Sequence, residues 1–469
     1  MTAPRTSIHG EWSTRLAFIL AATGSAVGLG NIWKFPYITG ENGGGAFVLV
    51  YLLCIACIGI PIMMAEVLLG RRGRQSPINT MATLSAEIGH SSHWKYLGWA
   101  GVLAGFLILS YYSVIAGWAL AYAFRTGSGV FINVTADGAG SIFGRFIADP
   151  EKLLAWHTVF MVMTTVIVAR GVRSGLEKAV RFLMPTLFVL LLVLVGYAMN
   201  SGEFNRAVSF LFDADFSKIS ADSVLTAMGH AFFTLSLGMG AIMVYGSYLP
   251  KDTSIARTSI IIAVMDTLVA LFAGLAIFPL VFANGLEPGS GPGLIFQTLP
   301  IAFGHMDGGT FFGTLFFVLL VFAAWSSAIS LIEPAVAWLV ENRKQNRVYA
   351  AAVVGLLTWL LGLLTVLSFN LWSDVKPLAF VEKFQNSTFF DLLDYLTSNI
   401  MLPLGGLLIA VFAGWLMDRK ATMEELDIHD HLHVGYRIWR VLVRYVAPIA
   451  VAIVFLKVTG ILDVINNLF

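Results

Sequence analysis

Runs of apolar residues alternate along the chain with short polar segments, and a bilayer-spanning helix needs about 20 such residues. The runs predict spans near 14–37, 46–69, 96–124, 153–170, 179–199, 223–248, 258–282, 311–340, 348–368, 389–417 and 437–466. Eleven spans place the termini on opposite sides of a membrane. Lysine and arginine in short loops set the orientation. Arg71, Arg72 and Arg74 follow span 2, and Arg170, Arg173, Lys178 and Arg181 surround the turn between spans 4 and 5. Lys251 and Arg257, then Arg343, Lys344 and Arg347, then Arg419 and Lys420 continue the same alternation. These loops share one side if the N-terminus is cytoplasmic and the C-terminus extracytoplasmic.

Two predicted spans are interrupted. Span 1 carries Gly24-Ser25-Ala26-Val27-Gly28-Leu29-Gly30-Asn31, and span 6 carries Ser236-Leu237-Gly238-Met239-Gly240. Glycine pairs in lipid-embedded helices usually serve close packing. Here they come with Asn31, Thr234, Ser236 and, in span 7, Asp266. They also fall at equivalent places if spans 1–5 and 6–10 form two halves. Interrupted helices at matching positions point to a midplane binding site in an inverted-repeat transporter. Irregular backbone at that depth is tolerated only where it is buried or lines a cavity.

Composition agrees. The 469 residues are 57% hydrophobic and 12% charged, whereas a soluble domain is nearer 25% charged, so most of the chain must face lipid. A net charge of +1 argues against a nucleic-acid partner. Cys54 and Cys57 lie in one apolar run and read as buried apolar residues. The first 12 residues lack the features of a signal peptide, so the first apolar run is expected to be a retained membrane helix. No nucleophile–base set, P-loop or zinc spacing appears, which leaves a membrane enzyme without support. His429-Asp-His-Leu-His433 lies in a polar loop and is expected to be no functional metal site.

Several motifs resemble the neurotransmitter:sodium symporter family. They are Gly24 to Asn31, Trp33-Lys-Phe-Pro36, Glu41-Asn-Gly-Gly-Gly-Ala-Phe47, Gly59-Ile-Pro61 with Glu66, and Ala231-Phe-Phe-Thr-Leu-Ser-Leu-Gly-Met-Gly240. The likeness runs from Trp12 to the end of span 11. It implies an all-α integral membrane protein with the LeuT-like 5+5 inverted repeat, broken helices 1 and 6, and one transporter domain over residues 1–469. The family usually has twelve spans; eleven, as in some bacterial members, leaves the ten-helix core intact. The resemblance further implies sodium-coupled import of amino acids across a prokaryotic inner membrane by alternating access. No obligate protein partner is evident. The alternative on the same fold is a non-transporting amino-acid sensor or a channel.

By resemblance, the amides around Leu29 and Gly30, with the Tyr112 hydroxyl, hold a substrate carboxylate. The carbonyls of Phe233 and Thr234 and the Ser236 hydroxyl hold its ammonium, with Ala26 nearby. Amine-transporting relatives carry aspartate at the position of Gly28, so glycine implies a substrate with its own carboxylate. Ile108, Tyr112, Phe233, Met239, Ser327 and Leu331 form a side-chain pocket without a charged group, suited to hydrophobic and aromatic L-amino acids. Leucine-selective relatives carry phenylalanine at the Met239 position. The flexible methionine either broadens the pocket or merely fills space.

Two sodium sites are implied, and both are rich in the hard oxygen donors that such cations prefer. The first takes Ala26, Asn31, Thr234 and Asp266, with the substrate carboxylate as a further ligand, so that substrate and ion binding depend on each other. The second takes Gly24, Val27, Ala323, Ser326 and Ser327. Asp266 replaces the family's usual asparagine, and an ionisable residue in a span is functional by default. Chloride-independent relatives carry a nearby carboxylate; the position of that glutamate matches Ala270 here, and Tyr51 lines the same neighbourhood. Asp266 is therefore expected to supply the negative charge and make transport chloride-independent.

The remaining assignments concern gating. Lys34 and Asp394 match the outer charge pair of the family, with lysine lacking the two-donor fork of arginine. His9 and Glu341 match the inner pair, with Trp12, Ser247 and Tyr248 around them. A histidine latch is expected to respond to pH. Gly175 and Pro185 match a span 5 segment that some relatives unwind to let water reach the second sodium. Glu66 is expected to accept bonds from amides freed by the break in span 6.

Overall fold

The computed structural model describes residues 5–200, 203–288, 293–426 and 433–458, and all regular structure among them is helical. Among the described residues, nine helices are long and apolar enough to cross a membrane. They are span 2 (Gly45–Gly73), span 3 (Ser92–Gly127), span 4 (Pro150–Ala169), span 5 (Val172–Ala198), span 7 (Ile255–Ala283), span 8 (Gly309–Arg343), span 9 (Arg347–Ser368), span 10 (Phe389–Leu416) and span 11 (Val434–Lys457). The residues expected to complete span 11, 459–466, lie outside the described ones. Span 1 is a bent pair, Arg15–Ala26 and Gly30–Glu41, turned by 49°. Span 6 is two short helices, Ala221–Thr234 and Ala241–Ser247, with residues 235–240 non-helical between them.

Both breaks follow from local chemistry. Val27 leaves the helix with an extended backbone, and the Asn31 side chain accepts the Gly28 amide at 3.0 Å, satisfying a donor the helix no longer serves. In span 6, Ser236, Gly238 and Gly240 all have positive φ, at 54°, 79° and 76°. Glycine adopts this region freely and other residues rarely do. The Gly238 amide donates to Glu66 Oε1 at 2.5 Å, so the buried carboxylate of span 2 satisfies the broken backbone.

Seven π turns occur among the described residues, and five of them share one cause. Gly30–Lys34, Ile55–Gly59, Leu294–Thr298, Tyr395–Met401 and Leu442–Val446 each end two residues before a proline: Pro36, Pro61, Pro300, Pro403 and Pro448. Proline has no N–H, and its ring collides with the carbonyl four residues back. Widening the preceding turn relieves the collision without ending the helix.

Spans 3 and 8 are the most enclosed, and spans 4, 5 and 11 are the most exposed. The halves of span 1 lie against spans 5, 7 and 8. The cavity described below is thus bounded by the two broken spans and the two most enclosed ones. The loops also contain amphipathic helices that the apolar runs do not reveal, among them Pro77–Glu87 and Phe204–Phe212.

Candidate functional site

The break in span 1, the break in span 6 and the middles of spans 3 and 8 close around one cavity. It is lined by Ser25, Ala26, Gly28, Gly30, Ile108, Tyr112, Phe233, Ser236, Met239, Ser327 and Leu331. Nine of the eleven residues assigned to the substrate face it. Of the other two, Leu29 donates its amide to the Tyr112 hydroxyl at 3.1 Å, and Thr234 turns toward Asp266. The lining contains no charged side chain. Its volume is about 20 Å³, room for one or two waters. Ser236 donates to the Ser25 carbonyl at 2.8 Å and the Ser25 hydroxyl to Ser330 at 2.7 Å. This link between the broken spans was not foreseen in the motif.

Two oxygen clusters flank the cavity. In the first, Asn31 Nδ2 donates to Asp266 Oδ1 at 2.7 Å and to the Asp266 carbonyl at 3.0 Å. Thr234 Oγ1 donates to the two carboxylate oxygens at 3.2 and 3.1 Å. All three residues are buried. The Tyr51 hydroxyl is buried beside them, facing Asp266, Thr234 and Thr267. In the second, Ser327 Oγ lies 3.3 Å from the Gly24 carbonyl and 3.1 Å from that of Val27. Ser326 turns back along its own helix, donating to the Ala323 carbonyl at 3.0 Å. A carboxylate, an amide oxygen, hydroxyls and free carbonyls are a donor set suited to a hard cation.

On the side of the N-terminal segment the cavity is sealed. Trp12 is 1% exposed; its backbone amide donates to the Tyr248 carbonyl and its indole to that of Tyr245, both at 3.0 Å. His9 Nε2 lies 3.2 Å from Glu341 Oε1. Glu341 also accepts from the Ser76 amide at 2.7 Å, the Ser76 hydroxyl at 2.6 Å and Asn79 at 2.7 Å. Three donors besides His9 therefore hold this carboxylate. The segment is tied down further by Ser13, whose amide and hydroxyl both reach Glu177, and by Arg5 on Glu87. Burial pushes the Glu87 carboxyl up, but Arg72 and Arg5 outweigh it and hold it below its ordinary range.

Sequence reasoning missed a second buried element at this end. Glu333 is fully buried, accepts from Tyr248 at 2.7 Å and is ion-paired with Arg347, whose Nε bonds the Val168 carbonyl. A carboxylate inside the apolar run of span 8 was the available signal, the same signal that marked Asp266.

The opposite side is open, and here one expectation is corrected. No ion pair among the described residues joins Lys34 to Asp394. Asp394 accepts from Ser398 at 2.9 Å and Tyr111 at 3.3 Å, and the Lys34 amine sits 4.9 Å over the Phe233 ring. A vestibule of about 420 Å³ lies above, with Lys34, His230 and Phe233 among its lining. Phe233 therefore separates vestibule from cavity, and the two charges stand apart because this side has not closed.

A second correction concerns span 5. The segment from Gly175 to Pro185 is wound, as a π turn over Val172–Glu177 and then an α-helix over Lys178–Ala198 that contains Pro185. Gly175 is needed in this conformation for another reason. A Cβ there would fall 2.1 Å from the Ile167 carbonyl oxygen, so the glycine permits the tight turn from span 4. The His429–His433 motif lies outside the described residues except for its last histidine.

Two discontinuous spans around a closed midplane cavity, sealed on one side and open on the other, define a secondary transporter of alternating-access architecture. The sequence pattern of the Sodium:neurotransmitter symporter family matches residues 9–130 and 147–464, and the chain belongs to that family. It is similar to YhdH of Bacillus subtilis (strain 168), described as an uncharacterized sodium-dependent transporter: 38% identical over 454 residues, 97% of this chain and 98% of the relative. A second uncharacterized sodium-dependent transporter, from Haemophilus influenzae, is 34% identical over 95% of this chain and 97% of its own length. The crystal structure of MhsT in complex with L-phenylalanine superposes with a TM-score of 0.87 at 44% identity, covering 96% of this chain and 99% of MhsT. The protein is thus a multi-pass membrane transporter with the LeuT-like fold, not an enzyme.

Proposed function

We propose that the protein is a sodium-coupled symporter that imports L-amino acids with large apolar or aromatic side chains, independently of chloride. The observation that carries the reading is the pair of oxygen clusters, Asp266 with Asn31 and Thr234, and Ser327 with the Gly24 and Val27 carbonyls, on either side of one uncharged cavity. Two sodium ions fit these donors, and a substrate carboxylate near Leu29 and Tyr112 would complete the first set. Gly28 leaves that place for a group the substrate brings. The sodium-dependent relatives and the phenylalanine bound to MhsT support the same reading. Eleven crossings, if both broken spans traverse the bilayer, would put the N-terminus in the cytoplasm of a prokaryotic cell and the C-terminus outside.

The test is a binding screen of the twenty amino acids on purified protein in sodium and in potassium. Phenylalanine, tryptophan and leucine are expected to bind in sodium alone, and lysine and glutamate in neither. Binding that ignores sodium would refute coupling. Exchanging chloride for gluconate is expected to change nothing in the wild type. Asp266→Asn is expected to weaken phenylalanine binding in gluconate tenfold or more, about 1.4 kcal/mol, and to regain part of it in chloride. Unaltered sodium affinity in this variant would remove Asp266 from the site.

Met239 is 2% exposed on the cavity wall. Because the cavity is already contracted, its flexible thioether is what yields to a large substrate. Met239→Phe is expected to cost tryptophan more than leucine, by roughly 1–3 kcal/mol of binding. Equal losses in competition assays would show that Met239 does not set pocket size.

A further inference from the structure

We propose that a slot on the membrane face between spans 4, 5 and 8 holds one anionic phospholipid, its phosphate on Arg170 and Lys178. The slot has a volume of about 490 Å³, and its walls are apolar except at one end. Val162, Val166 and Phe182 are 56%, 45% and 63% exposed there. Arg170 and Lys178 are exposed at the end nearest the N-terminal segment, and neither has an ion pair among the described residues. Their neighbours differ. Arg173 donates to the Glu11 carbonyl, Arg181 is paired with Glu177 and Arg347 with Glu333. Two unpaired cations above an apolar groove complement a phosphate with hydrocarbon beneath it, and basic pockets between spans are where anionic headgroups bind.

Three further features favour a lipid over a free anion. Trp325 lines the slot, and its indole N–H is shielded and has no partner among the described residues, a donor that a small turn of the ring would offer to a phosphate or ester oxygen. From Arg170 to Val162 is eight residues of helix, about 12 Å at 1.5 Å per residue, which fits within one leaflet of about 15 Å. A second groove of about 380 Å³ shares Val162 and Val166 and continues to Leu356 and Trp359 on the other side of span 4. One headgroup at Arg170 can therefore send a chain down each side of that span.

The bound lipid would join span 4 to span 5 and to Trp325, the residue before Ser326. It would brace the sealed side of the molecule.

Native mass spectrometry of the full-length protein tests this, with phosphatidylglycerol and phosphatidylcholine of identical chains offered in turn. One phosphatidylglycerol is expected to be retained at least fivefold more than phosphatidylcholine, and excess inorganic phosphate should not release it. Arg170→Gln with Lys178→Gln should abolish the preference. Val166→Trp, which fills the groove and leaves both cations, should expel the lipid. Sodium-dependent phenylalanine binding by each variant reports folding separately. Equal retention of the two lipids by the wild type, release by phosphate, or an unchanged preference in the double variant would overturn the proposal.

Discussion

Gly28→Ala is expected to reduce sodium-driven uptake to roughly 1% of wild type or below. A Cβ at this position would lie 2.5 Å from Ser327 Oγ and 2.7 Å from the Tyr112 hydroxyl. Both atoms are fixed by other duties. Ser327 faces the Gly24 and Val27 carbonyls, and Tyr112 accepts the Leu29 amide. One methyl group therefore disturbs the second sodium set and the carboxylate position together. Overpacking of a rigid site costs about 1–3 kcal/mol, which by itself weakens binding up to roughly 150-fold. Thermal unfolding should shift far less than binding, since the first half of span 1 stays helical. Near-normal uptake would show that Gly28 serves only the approach of neighbouring helices.

Trp12→Ala should weaken apparent substrate affinity by about 100-fold or more without touching the cavity. Trp12 fills the sealed side, edge-on to the Tyr245 ring at a centroid distance of 5.2 Å. Truncating a buried tryptophan costs about 3–5 kcal/mol, all of it drawn from the conformation closed on that side. Apparent affinity falls with the fraction of molecules able to bind. His9→Ala is expected to cost less than tenfold, because Glu341 keeps three other donors. Amides of residues 15–20 should exchange faster in Trp12→Ala than in the wild type. Equal losses in the two variants would mean that the ion pair, not the tryptophan, holds the seal.

The spans were legible because lipid leaves backbone groups no partner but their own helix. The breaks were legible because Gly238 and Gly240 were paired with polar neighbours. Glu66 on the Gly238 amide, and Asp266 among Asn31 and Thr234, follow from the same rule that a carboxylate in a span needs a partner. That rule applied equally to Glu333, which the resemblance did not mark. The π turns could have been anticipated from Pro36, Pro61, Pro300, Pro403 and Pro448. What no pattern could supply was conformation. Lys34 and Asp394 stand apart, and span 5 is wound at Gly175, because the molecule is open on one side and sealed on the other. The short loop helices were hidden for a different reason: Phe204–Phe212 buries one stripe only, too brief to read as a span.

Uptake of phenylalanine into liposomes carrying the purified protein tests coupling most directly. An inward sodium gradient, with gluconate as the only anion, should drive phenylalanine above its external concentration, and collapsing the gradient should release it. Accumulation under an equal potassium gradient, or entry that stops at the external concentration with sodium present, would contradict the account.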